Sequence, residues 1–121
     1  MNKSVDLLKN GGFYSVFGDS CYIMLYLFGY KIIDNRVGFP KSAYDKVVNK
    51  LDELCINYND PIEGVNKDFK KKNKYNEFVV KGKNKYSITT RINGIIDKLS
   101  SLSESELDSI LSYIEDKLGN E

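Results

Sequence analysis

Apolar and polar positions along the first half of the chain alternate in ways that predict strands separated by helices. The aromatic and β-branched run Phe13–Phe17 predicts a strand, and the apolar run Ser20–Phe28 predicts a helix that ends at Gly29. A stripe of apolar residues with 3.6-residue spacing between residues 44 and 55 predicts a further helix. Additional strands are predicted at residues 30–33, 36–39 and 56–59.

The remaining segments are shorter or less regular. Residues 5–10 predict a short helix, because the pair Gly11-Gly12 stops the apolar pattern there. Residues 77–90 predict a β-hairpin with its turn at residues 82–84, and residues 91–99 predict a helix. Ser103 and Glu106 form a capping-box pattern at the start of an amphipathic C-terminal helix, residues 103–118.

This order of elements predicts the α/β (α+β) class. We expect a mixed β-sheet of four to six strands with three or four packed helices. The 121 residues, of which 41% are hydrophobic and 29% charged, suit a single domain over residues 1–121.

Charge is unevenly distributed although the formal net charge is only +1. Residues 1–66 carry seven basic and eight acidic side chains, and residues 86–121 carry three basic and seven acidic ones. Residues 67–85 carry eight lysines against Asp68 and Glu77. The predicted hairpin is therefore strongly basic, and residues 67–86 are called the basic segment below.

Several kinds of chemistry are missing from the sequence. The chain has no histidine, which removes histidine-dependent acid–base catalysis, and its two cysteines cannot form a four-sulfur zinc site. It also lacks a P-loop motif for nucleotide phosphates. We therefore predict a non-enzymatic protein without cofactor or metal. The absence of a signal peptide and of a membrane-spanning apolar run predicts a cytoplasmic location without membrane contact.

Residues 11–59 carry a further pattern. The run Gly12-Phe13-Tyr14-Ser15-Val16-Phe17-Gly18-Asp19-Ser20 is followed by a helix, then by Val37-Gly38-Phe39-Pro40, Ala43-Tyr44 and Val48-Asn49-Lys50-Leu51. This order resembles the N-terminal mismatch-recognition domain of the MutS mismatch-repair family, here as a free-standing domain. The resemblance suggests a protein carried by a mobile element or phage.

The resemblance implies a nucleic-acid site on the first strand. In that family the position of Phe13 wedges beside a mispaired base from the minor groove, and the next two positions are Tyr and a Glu that hydrogen-bonds the base. This chain keeps Phe13 and Tyr14 but has Ser15 in place of the Glu, which shortens the reach and removes the charge. The expected function is duplex DNA binding, because an apolar wedge can kink DNA without reading its sequence.

The basic segment predicts the phosphate contacts for such a site. Aromatic residues are interleaved with its lysines, which suits backbone contact combined with base stacking. The alternative is that the lysines only protect a sheet edge. The lysines expected to contact nucleic acid are Lys70, Lys71, Lys72, Lys74, Lys81, Lys83 and Lys85.

The sequence leaves two alternatives open. Phe13 is either a core residue or an exposed wedge, and the C-terminal helix either packs on the domain or binds a partner protein or a second copy. The alternative function is a protein-interaction or inhibitory accessory protein that uses the fold without DNA binding. Phe13 and the basic segment on one exposed face would favour DNA, whereas a buried Phe13, or a basic segment on the far side, would favour a protein partner.

Overall fold

The computed structural model describes residues 3–119 and confirms the predicted α+β class. Within these residues there are six strands, arranged as two three-stranded sheets, and four α-helices. Contacts divide the chain into two units, Met1–Tyr86 and Ser87–Glu121. The expectation that residues 1–121 act as one domain stays a prediction.

One sheet has the strand order β1-β5-β6. β1 is parallel to β5, with Val5 opposite Tyr58, and β6 is antiparallel to β5, with Val65 opposite Asp60. The strands are β1 (Val5–Asp6), β5 (Tyr58–Asp60) and β6 (Val65–Lys67).

The other sheet has the antiparallel order β2-β3-β4 and carries the predicted strand Phe13–Phe17 at its centre. β2 follows β1 with only the buried Leu7 between them. The strands are β2 (Leu8–Asn10), β3 (Phe13–Phe17) and β4 (Arg36–Pro40).

The helices begin and end largely where their local signals lie. Gly29 has φ of 71° after the first helix, and the Ser103–Glu106 capping box is formed at the start of the last one. None of the helices within residues 3–119 is long and apolar enough to cross a bilayer. The helices are α1 (Ser20–Phe28), α2 (Tyr44–Glu53), α3 (Tyr75–Leu99) and α4 (Glu104–Lys117).

Two local predictions in the first half are wrong. Residues 5–10 form strands β1 and β2 instead of a helix, because so short a helix is marginal and the sheets offer backbone partners on both sides. Residues 30–33 do not form a strand: Ile33 makes an isolated bridge with Arg36.

The predicted hairpin at residues 77–90 is also wrong, because this segment lies within α3. The β-branched residues and the glycine favoured strands and a turn locally. However, the buried residues of the segment recur with helical spacing. Their burial in the core of the first unit overrides the local preference for strands. These residues are Phe78, Val79 and Gly82, and Tyr75, just before the segment, is buried with them.

A buried hydrogen bond links the two sheets. The Tyr14 hydroxyl of β3 donates to the Asp60 carboxylate of β5 at 3.1 Å. The same carboxylate accepts from the backbone amides of Ile62 and Glu63, each at 3.2 Å, and so also fixes the turn after β5. Burial, followed by the hydrogen bond to Asp60, raises the pKa of Tyr14 above its ordinary value. Burial raises the pKa of the neighbouring Tyr44 to about 12.

We expect stability to fall at alkaline pH for this reason. A raised pKa in the folded state favours the neutral hydroxyl, so its contribution is fully present below the ordinary value of 10.0 and is lost as pH rises above it. Tyr14→Phe should make the loss of unfolding free energy above that pH shallower by about 1.4 kcal/mol per pH unit. Urea unfolding between about pH 7 and 11 measures this, and identical slopes in parent and variant would contradict it.

Close packing of α3 on α1 depends on Gly82. A Cβ atom built there would collide with the carbonyl oxygen of Tyr22, whereas one built at Gly94 would meet nothing within 4 Å. We expect Gly82→Ala to lower the free energy of unfolding by about 1–3 kcal/mol, because the helices must separate. Gly94→Ala is the matched control in the same helix and should cause no loss, since Ala is the better helix former. Urea unfolding of both variants measures the difference, and equal stabilities would refute the contact.

Candidate binding surface

The antiparallel sheet has one buried and one exposed face, set by the alternation of side chains along β3. Tyr14 and Val16 point into the core, so Phe13, Ser15 and Phe17 point to the other side. Directly opposite residues of antiparallel strands share a face, which extends this surface onto β2 and β4. The outer sheet face, as it is called below, consists of Leu8, Asn10, Phe13, Ser15, Phe17, Arg36, Gly38 and Pro40.

The outer sheet face has two exposed aromatic side chains on the same strand. Phe13 and Phe17 are 61% and 51% exposed, and their Cα atoms lie about 13 Å apart along the strand. Between them, Ser15 is paired with Leu8 on one side and with Gly38 on the other. The exposed Leu8 adds a third large apolar side chain to this surface.

The charge on this surface is low. Arg36, opposite Phe17, is its one cationic side chain, and it forms no ion pair within the part of the chain that the structure describes. The surface thus offers apolar contact with a single guanidinium at its rim.

Tyr14 does not belong to this surface, although it was expected to contact nucleic acid together with Phe13 and Ser15. Its ring is buried and lies 5.6 Å from that of Phe39 in a stacked arrangement. Its hydroxyl is engaged with Asp60. Tyr14 therefore supports the sheet from inside, while Phe13 and Ser15 lie on the outer face.

The seven lysines expected to contact phosphates are all exposed. Lys81 and Lys83 lie 3.7 and 3.6 Å from the carboxylates of Glu77 and Asp19, and Lys85 donates to the Leu25 carbonyl at 3.4 Å. The other four form no ion pair with any residue between 3 and 119: Lys70, Lys71 and Lys72 in a 3-10 turn, and Lys74 just before α3.

The first half of α3, which carries three of these lysines, is separated from the outer sheet face by α1. Buried residues of α1, including Cys21 and Met24, pack on the inner side of the sheet. Tyr22 and Tyr26, about half a helical turn away from them, contact α3 instead. The order through the first unit is thus outer face, sheet, α1 and α3.

The other four lysines also lie away from Phe13. The Asn73 side chain donates to the carbonyl of Lys3 at 2.9 Å, which ties this turn to the start of β1. Phe13 follows the other end of β2, and the extended run from Lys3 to Asn10 is on the order of 20 Å long. The structure therefore does not bring Phe13 and the basic segment together on one face.

Sequence reasoning missed the contributions of Leu8, Phe17 and Arg36 to the exposed surface. Phe17 shares its strand face with Phe13 by simple alternation, which was available from the sequence. Leu8 and Arg36 require the strand pairing and were not accessible without it. Across residues 3–119, no group of three or more His, Cys, Asp or Glu side chains could hold a metal ion.

The second unit presents apolar side chains of a different kind. It consists of the C-terminal part of α3 and of α4, and no residue from 87 to 119 is buried. Large apolar residues are exposed on both helices, including Ile92 and Ile95 on α3 and Leu111 on α4. A helical pair without a core is typical of a segment that is completed by another protein.

Comparison with known proteins gave no further information. No family model, no curated protein and no solved structure matched this chain.

Proposed function

We propose that this protein is a non-enzymatic interaction module, either an adaptor or an inhibitory accessory protein, that binds a partner protein through the outer sheet face. The observation that carries this proposal is the exposure of Phe13 and Phe17 on either side of Ser15 and Gly38. Exposed aromatic side chains that share one face provide a pair of anchors for the apolar surface of a partner.

Charge favours protein over nucleic acid as the partner. Affinity for duplex DNA comes largely from phosphate contacts, and these need several cations beside the base-contacting residues. Arg36 is the one cation of the outer sheet face, while the expected lysines lie beyond α1 or at the far end of β1. A duplex seated on Phe13 would leave those lysines unused.

A cytoplasmic location belongs to the same proposal. Cys21 and Cys55 are both unpaired, which suits a reducing compartment.

DNA binding is the second candidate function, and a specific observation supports it. Phe13 stands at the start of β3 with 61% of its surface exposed, as a minor-groove wedge would require, and Ser15 shares its face. The resemblance of residues 11–59 to the MutS mismatch-recognition domain points to the same residue. Phosphate contacts would then come from residues other than the basic segment.

One prediction of this proposal concerns the class of partner. A photoreactive benzoylphenylalanine placed at Phe13 or Phe17 should cross-link to a protein in the cells that produce the chain. The same group at Val80, which is 57% exposed on α3, is the matched control and should give no such adduct. Mass spectrometry and nuclease digestion identify the adduct: nucleic acid at position 13 would support the second candidate, and no adduct at 13 or 17 would refute both.

Another prediction of this proposal concerns duplex binding in vitro. We expect only non-specific binding that weakens steeply between about 50 and 200 mM salt. Replacement of Lys70, Lys71, Lys72 and Lys74 by Gln should reduce the salt slope by about one unit for each of these lysines that binds a phosphate, whereas Phe13→Ala should leave affinity unchanged. Fluorescence anisotropy on perfect and mismatched duplexes measures both, and weaker binding by Phe13→Ala would favour the DNA function.

A further inference from the structure

The two helices of the second unit carry the same pattern of apolar residues. On each helix four large apolar side chains follow one another at intervals of four, three and four residues. An alternation of four- and three-residue steps is the spacing of a seam along which helices pack into coiled coils and four-helix bundles. The two stripes are Ile88, Ile92, Ile95 and Leu99 on α3, and Leu107, Leu111 and Ile114 on α4 with Leu118 directly after it.

These stripes are left largely uncovered. Ile92, Ile95 and Leu111 are 51%, 54% and 47% exposed, and only Leu99, Leu102, Leu107 and Ile110, close to the turn, are half-buried. α4 has 14 residues, and a helix of this length without a packed face is marginal in water. An apolar surface that covers these stripes would therefore stabilise the second unit.

The charges beside the stripes indicate which surface this is. Arg91 and Lys98 lie seven residues apart and each directly precedes a stripe residue of α3. Asp108 and Glu115 are also seven residues apart, and each directly follows a stripe residue of α4. Seven residues are about 10.5 Å of helix, so the basic pair and the acidic pair have matching separations.

Within residues 3–119 none of these four side chains takes part in an ion pair. The second unit therefore displays both halves of a complementary charge pattern and uses neither within residues 3–119. A second copy supplies the acidic pair for α3 and the basic pair for α4 at the same time.

We propose that the second unit is a self-association element in which two copies form a four-helix bundle, with α3 of one copy beside α4 of the other. Two-fold symmetry repeats this contact, so each dimer contains the basic-to-acidic pairing twice. The apolar stripes provide the affinity, and the charges set which helices lie side by side. This surface is distinct from the outer sheet face, so dimerisation does not depend on the partner proposed there.

The apolar part of the proposal is tested by sedimentation velocity of the full chain at up to about 100 μM, where a micromolar dimer is well populated. The parent should be a dimer, and Ile95→Lys should be a monomer. Ile62→Lys, at a 63% exposed position of the first unit, is the matched control and should remain a dimer. A monomeric parent at the highest concentration overturns the proposal, as does an Ile95→Lys variant that remains dimeric.

The charge part is tested by two variants, each of which is expected to dimerise weakly by itself and to form a heterodimer when mixed with the other. Arg91→Glu/Lys98→Glu makes both helices acidic beside the seam, and Asp108→Lys/Glu115→Lys makes both basic. Each should dimerise about tenfold or more weakly than the parent, since every pairing becomes repulsive. An equimolar mixture should form a heterodimer visible by native mass spectrometry, because each variant again meets opposite charge.

Circular dichroism of each variant shows whether its helices are retained. Homodimers as tight as the parent's, or a mixture that stays monomeric, would overturn the pairing of α3 with α4. Cross-linking from position 13 should persist in the Ile95→Lys monomer, so a failure of self-association and a failure of the proposed partner binding are observed separately.

Discussion

The hydrogen bond between the Tyr14 hydroxyl and the Asp60 carboxylate connects the central strand of one sheet to the central strand of the other. Because both groups are buried, loss of this bond would leave the Tyr14 hydroxyl without its partner and the Asp60 carboxylate with only the amides of Ile62 and Glu63. The bond also fixes the orientation of β3, since a shift by one residue would turn Tyr14 outward and Phe13 inward. The exposed surface therefore follows from a buried contact.

The layers built on this strand decide what the surface can bind. α1 covers the inner side of the sheet, and α3 approaches α1 at Gly82 with its lysines directed to solvent. The aromatic and basic residues that the sequence predicted to form one nucleic-acid site thus lie on different sides of the first unit. Each surface keeps its own chemistry: an apolar face with one arginine, and a lysine-rich helix with a preceding turn.

The second unit follows a different physical rule from the first. The first unit buries its apolar residues around Tyr14, whereas residues 87–119 leave Ile92, Ile95 and Leu111 in solvent. Segregated charges beside matching apolar stripes are the basis of the self-association proposed for this unit. Self-association would double the number of outer sheet faces in one particle, which raises the effective affinity for any partner that can contact two of them.

The sequence by itself determined those elements whose signals are local. Alternation placed Phe13 and Phe17 on one face of a strand, Gly29 ended α1, and the Ser103–Glu106 capping box started α4. Tertiary structure decided the rest, because short apolar runs take the conformation that offers backbone partners and burial. Residues 5–10 became strands beside β3 and β5, and residues 77–90 became a helix because Phe78, Val79 and Gly82 are buried together on one side of it. Only that packing determined that the lysines lie away from Phe13, since the side of a molecule on which a helix lies is set by long-range contacts that local spacing does not encode.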